Sequence, residues 1–282
     1  MRFASYEKNG QAVYGLVRND GLRTVGGELA GRHPTLRAAI EAGVLTSIGA
    51  ELSTAEADAS LDDVRFLPPI PHPDKILCIG LNYEMHRAET GRAEVQNPTI
   101  FVRFANSQVG HGEPLIRPRA SDRFDYEGEL AVIIGERCRH VPEADALSVI
   151  AGYSCFNDGS VRDWQGHTTQ FTPGKNFFRS GSFGPWLVTT DEFGDWKQHT
   201  LETRLNGEVM QHTPTADMIF PIPRLISYIT TFTELVPGDV IATGTPGGVG
   251  SRRQPPVWMK PGDTVEVEVS GLGVLLNPVE SE

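Results

Sequence analysis

Three carboxylates at alternate positions, Asp125, Glu127 and Glu129, are the residues of this sequence best arranged to do chemistry. They stand in Asp125-Tyr126-Glu127-Gly128-Glu129, directly before the apolar run Leu130-Ala131-Val132-Ile133-Ile134. Residues two apart on a strand share a face, so the spacing predicts the three acids side by side. Carboxylates that close repel unless a cation neutralises them or some of them protonate. Hard oxygen donors favour magnesium, manganese or calcium over zinc. A solvated acidic strand edge is the competing reading.

Asp158, in Phe156-Asn157-Asp158-Gly159-Ser160, follows an apolar run and can project a further ligand from a strand end. Asp-Gly-Ser is also an ordinary turn or helix cap. His86 and Glu89 lie three apart, on one face if residues 83–90 are a short helix. A carboxylate beside an imidazole can orient it, or the pair can activate water as a general base. The polar run Thr90-Gly91-Arg92-Ala93-Glu94 that follows suits a lid. The loop Thr243-Gly244-Thr245-Pro246-Gly247-Gly248-Val249-Gly250 can aim backbone N–H groups at an anion. It fits neither a Walker loop nor a dinucleotide fingerprint. Lys175 is a lone cation in a largely uncharged stretch, free to meet a carboxylate or enolate.

The elements that must position these groups read as mostly strand. Residues 3–25 alternate apolar and polar around Asn9-Gly10 and Asn19-Asp20-Gly21, the pattern of short antiparallel strands. Residues 35–42 read as a short helix closed by Gly43, and 53–63 as a helix or a loop. Leu67-Pro68-Pro69-Ile70-Pro71-His72-Pro73 forbids helix and interior strand. This gives a small N-terminal domain over 1–66, a proline-rich linker over 67–73 and a main body over 74–282. In the body, strands are expected at 75–80, 130–134, 149–154, 239–243 and 264–269. A hairpin is expected over 201–210 around Asn206-Gly207. The helical candidates are 144–149 and 223–232. Without regular βαβ alternation the fold class is α+β, mainly β.

Composition narrows the function. Net charge is -11, which argues against nucleic acid as a partner. No apolar stretch reaches the ~20 residues that span a bilayer. Cys78, Cys138 and Cys155 form no CxxC pair, which suits a reducing compartment. With an N-terminus that lacks a hydrophobic signal core, the expected location is cytoplasmic. A zinc hydrolase would need a histidine–cysteine cluster that the sequence lacks.

Taken in order, these segments resemble the fumarylacetoacetate hydrolase family over roughly residues 75–278. The likeness rests on Ile79-Gly80-Leu81-Asn82-Tyr83 with His86 and Glu89, and on Asp125-Tyr126-Glu127-Gly128-Glu129-Leu130. It continues through Asn157-Asp158, Arg162-Asp163-Trp164-Gln165, Gly174-Lys175, Asn206-Gly207 with Gln211, and Pro237-Gly238-Asp239 with the 243–250 loop. The resemblance implies a twisted β-roll body, a small N-terminal α/β domain and a homodimer. It implies one Mg2+ or Mn2+ ion on Glu127, Glu129 and Asp158, with Asp125 left out of the ligand set. His86 and Glu89 match the family's catalytic pair, and Lys175 its substrate-contacting lysine. Arg103, Tyr126, Gln165, Gly244 and Thr245 are the expected substrate contacts. Relatives often carry lysine where Phe101-Val102-Arg103-Phe104 has Arg103, and arginine replaces a point donor by a planar fork. The implied reaction is hydrolysis of a C–C bond in an acylpyruvate-type 2,4-dioxo acid, giving pyruvate and a carboxylic acid. The same enolate chemistry also serves an oxaloacetate-type decarboxylase or a dienoate isomerase or hydratase. A catalytically silent metal-binding protein is the alternative from another class.

Overall fold

The computed structural model describes residues 1–91, 93 and 95–282. Arg92 and Glu94, part of the expected lid, lie outside the described residues. The fold is α+β with strands dominant, built on two large sheets and a two-stranded ribbon. The larger has eleven strands. Its main path runs Gly21–Thr24, Gln11–Arg18, Arg2–Lys8, Gly181–Thr189, Ile150–Asn157, Gly128–Ile134, Val240–Ala242, Ile76–Gly80 and Thr99–Arg103. The second sheet has five strands, in the order Glu208–Pro214, Thr200–Leu205, Thr264–Val269, Gly273–Ser281 and Leu115–Arg117.

The N-terminal strands expected from residues 3–25 are present, with Asn9, Gly10 and Gly21 at positive φ in their turns. They join the main sheet, because Arg2 and Phe3 pair with Val188 and Leu187. The helix expected at 35–42 spans Leu36–Glu41, and Gly43 after it is left-handed at φ 67°. Pro223–Phe232 falls within the helix Ile222–Phe232, whose buried Ile222, Leu225, Ile226 and Ile229 recur at helical spacing. The segment read as a helix at 144–149 is instead a 3-10 helix over Glu143–Val149. The helix Leu45–Leu52, the strand Gly181–Thr189 and the strand Gly273–Ser281 were not expected from pattern.

The strand Gly128–Ile134 is the axis of the body. Each of its seven residues is buried, as expected for the apolar run 130–134 between two neighbouring strands, and Glu129 is buried with them. It pairs antiparallel with Ile150–Asn157 on one side and Val240–Ala242 on the other. Gly128 has no alternative here, because a Cβ would lie 2.0 Å from the Thr203 hydroxyl of the second sheet. Among the described residues, no helix is long and apolar enough to cross a membrane.

Candidate active site

Glu127 and Glu129 flank Gly128 at the start of the central strand, so the alternate spacing puts both carboxylates on one face. Asp158 arrives from the end of the neighbouring strand, and its N–H donates to the Glu127 carbonyl at 2.8 Å. One carboxylate oxygen from each of Glu127, Glu129 and Asp158 lies within 4.8 Å of the others, and all three residues are buried. Asp125 does not join them. The strand is interrupted after Asp125, and Phe124–Asp125 pairs with Ser160–Val161 in a separate ribbon. Its carboxylate accepts from the N–H groups of Tyr126, Gly250 and Ser251 and from Arg162 Nε at 2.7 Å. The face-sharing rule fails here because it assumes a continuous strand.

Three cations surround the acids. Lys175 Nζ, from the short helix Thr172–Lys175, is 2.6 Å from Glu127 Oε2 and 2.5 Å from Asp158 Oδ2. Arg162 Nη1 is 2.6 Å from Glu127 Oε1. Arg103 Nη1 is 2.6 Å from Asp158 Oδ1. Burial raises the Glu127 carboxyl, but the charges of Arg162 and Lys175 outweigh it and hold the group well below the ordinary range. Burial opposes the charge of Lys175, yet Asp158 and Glu127 keep its ammonium above the usual lysine value. Glu129 is the exception. Its carboxylate accepts from the Gly244 N–H at 2.8 Å. Burial, then Asp158 and Glu127, push its pKa well above the ordinary value.

Four buried carboxylates, counting Asp125, thus face three cations, and the deficit falls on Glu129. A divalent ion fits this deficit: the donors are hard oxygens, clustered and dry, as magnesium or manganese prefers.

His86 sits on the helix Glu84–Thr90, as the spacing requires, and is buried. Its Nδ1 is 2.7 Å from Glu89 Oε1. The other Glu89 oxygen accepts the Gly248 N–H at 3.0 Å, tying the helix to the glycine loop. With Nδ1–H given to Glu89, Nε2 is the free acceptor. A cavity of about 390 Å³ joins these parts, lined by His86, Glu127, Glu129, Lys175, Gln165 and Thr245 among others.

The structure distributes the expected substrate contacts differently. Gln165 and Thr245 line the cavity. The Thr245 hydroxyl, however, donates to the Gly128 carbonyl and accepts from Gln211. Arg103, Tyr126 and Gly244 are not among the described lining residues. Tyr126 donates to the Gly248 carbonyl, and the Gly244 N–H is given to Glu129. Arg103 is buried and donates to Asp158, the Gly159 carbonyl and the hydroxyls of Ser107 and Ser180. Its fork is used to hold Asp158 in place. Arg162 is the wall residue to which sequence reasoning gave no role. It lines the cavity, and its buried Nη2 has no partner. The signal was available in its spacing of three from Gln165 on a short helix, which places both on one face.

A family model described as "Fumarylacetoacetate (FAA) hydrolase C-terminal" matches residues 75–280. The chain belongs to the fumarylacetoacetate hydrolase family. It is 41% identical over 217 residues to the rat (Rattus norvegicus) "Oxaloacetate tautomerase Fahd2a, mitochondrial", covering 77% of this chain and 69% of the relative. Among solved structures it is similar to a fumarylacetoacetate hydrolase from Exiguobacterium antarcticum, with 33% identity, TM-score 0.84 and both chains covered in full. It is also similar to the 5-carboxymethyl-2-hydroxymuconate delta-isomerase of Mycobacterium smegmatis, at 31% identity and TM-score 0.79, covering 100% of this chain and 99% of the other. These relatives of the fumarylacetoacetate hydrolase family carry names from three reaction types, so membership alone does not select the reaction.

Proposed function

We propose that this chain is a divalent-metal-dependent enzyme that interconverts the keto and enol forms of a small 2-oxo acid of the oxaloacetate class, with His86 as proton carrier. The observation that carries the reading is the buried His86–Glu89 pair lining one cavity with the Glu127, Glu129 and Asp158 cluster. Each Glu89 oxygen already accepts a hydrogen bond, so Glu89 orients the ring and leaves His86 Nε2 as the nitrogen that would accept a proton. The tautomerase name of the rat relative at 41% identity supports the same reaction type.

Glu127, Glu129 and Asp158 would hold magnesium or manganese, and the bound ion would act as a Lewis acid on the keto oxygen. His86 Nε2 takes the proton from the carbon next to the keto group. The C–H pair becomes the new C=C bond, the carbonyl pair moves to oxygen, and His86 returns the proton there. Arg162, which lines the cavity and has a buried, unpartnered Nη2, would take the carboxylate of the acid. Phe101 and Phe171 line the apolar wall and exclude water.

Hydrolysis of an acylpyruvate C–C bond is the second reading. The cavity favours it to this extent: 390 Å³ lies in the range that drug-sized ligands fill and is generous for a four-carbon acid. His86 would then take its proton from water. The homodimer remains our reading for assembly; the exposed apolar side chains of Phe104 and Phe178 support a covered face. The three free cysteines support a reducing compartment, the cytoplasm in our reading.

The test is a magnesium- or manganese-supplemented panel of oxaloacetate (followed as enol decay), acetylpyruvate, fumarylpyruvate and a 2-hydroxymuconate-type dienoate. Tautomerisation of oxaloacetate without release of pyruvate supports the first reading. Pyruvate plus an acid from an acylpyruvate selects the second. Turnover of none of the four refutes both.

A further inference from the structure

We propose that Arg252 is a specificity-determining residue that pairs with a second carboxylate, carried at the far end of the substrate. The proposal rests on the reading that the cavity takes a 2-oxo acid.

Two adjacent arginines close the glycine-rich loop, and they have opposite fates. Arg253 donates from Nη2 to the Met210 carbonyl at 2.7 Å and from Nε to the Gly248 carbonyl at 3.3 Å, so its guanidinium braces the backbone. Arg252 is exposed and lines the cavity, and its guanidinium has no hydrogen bond or ion pair among the described residues. The other cationic wall residues are neutralised: Lys175 by Glu127 and Asp158, Arg162 by Asp125 and Glu127. Arg252 is therefore the one unpaired cation among the described side chains that line the cavity, in a chain whose net charge is -11. A free cation there attracts an anion that enters the cavity.

Its position is built, not incidental. Arg252 ends the 3-10 turn Gly250–Arg252. Asp125 clamps the start of that turn through the N–H groups of Gly250 and Ser251, at 2.8 and 2.9 Å. The same carboxylate holds Arg162 Nε. One buried acid thus fixes both arginine-bearing segments beside the cavity. Gly250 is required for this, since a Cβ there would come within 2.7 Å of Asp125 Oδ1 and 2.0 Å of the Val257 carbonyl. Arg162, deeper and partly buried, faces the first carboxylate, and Arg252 on the exposed side is left for the second.

The experiment is calorimetric binding to manganese-loaded protein of 2-oxoglutarate and of 2-oxovalerate, which share a chain length and differ in the distal carboxylate. Wild type, Arg252→Gln and Arg252→Lys are compared. The expected result is a preference of wild type for the diacid. Arg252→Gln should lose the diacid by about fivefold, the scale of an exposed charge pair, with the monoacid unchanged. Arg252→Lys should keep part of the preference, and added salt should erode it. Equal binding of the two acids by wild type, or equal weakening of both in Arg252→Gln, overturns the role of Arg252 alone. Binding of neither acid overturns the 2-oxo acid reading together with it. Turnover is not needed, so a failed tautomerase assay leaves this comparison decisive.

Discussion

Replacing Arg103 tests the finding that its fork supports the site from within. Arg103 and Asp158 are both buried, and the guanidinium also satisfies the Gly159 carbonyl and two serine hydroxyls. Removing Arg103 would leave Asp158 with Lys175 alone and the buried acids one cation shorter, at a cost of about 3–5 kcal/mol. Arg103→Met should therefore lower the melting temperature of the metal-free protein by about 6–20 °C, at 2–4 °C per kcal/mol for a chain near this size. Arg103→Lys can pair Asp158 but cannot reach all four acceptors, so it should lose about 1–3 kcal/mol. Arg137→Met is the control: its partner is Glu234, both side chains are about half exposed, and the loss should stay under about 1 kcal/mol. Differential scanning fluorimetry reads all three. The reasoning is refuted if Arg103→Met melts within the range of Arg137→Met. It is equally refuted if Arg103→Lys keeps wild-type stability but raises KM, the mark of a substrate contact.

Further predictions follow from the same geometry. Glu129→Gln mimics the neutral acid that burial favours, so the metal-free variant should melt at or above wild type while manganese affinity, by calorimetry, falls more than about a hundredfold. Because the folded pKa of Glu129 is raised, the metal must displace a proton at any pH below that value. Affinity should therefore climb as pH rises and level off once Glu129 is ionised, with proton release visible in buffers of different ionisation enthalpy. Asp125→Asn should destabilise the fold by about 3–5 kcal/mol in denaturant titration, since Arg162 and three N–H groups lose their acceptor charge, yet still bind one metal per chain. Glu89→Gln should cut kcat by about 10²–10⁴ with KM little changed, because the ring loses the partner that sets its tautomer.

What was legible in the sequence is what local rules govern. Glu127 and Glu129 share a face because a strand has period two, and His86 meets Glu89 because a helix brings i and i+3 together. The Asn206-Gly207 hairpin and the helix closed by Gly43 were equally local. What stayed hidden depends on contacts distant in the chain. Arg103 reads as a substrate fork until the fold brings Asp158 and Ser180 to it, 55 and 77 residues away. By spacing alone Asp125 stands beside Glu127 and Glu129, until the strand breaks and Gly250 arrives from 125 residues downstream. The Thr245 hydroxyl reads as a free donor until Gln211 and the Gly128 carbonyl take it up. In each case a partner distant in the chain engages the side chain.

The most direct test of the account follows enol-oxaloacetate decay in the ultraviolet with manganese-loaded wild type, the same protein in excess chelator, and manganese-loaded His86→Gln, with bound metal measured in each. The account predicts fast decay only for the metal-loaded wild type, while His86→Gln binds one manganese per chain and decays at the uncatalysed rate. Full activity in His86→Gln, or in wild type stripped of metal, would contradict it.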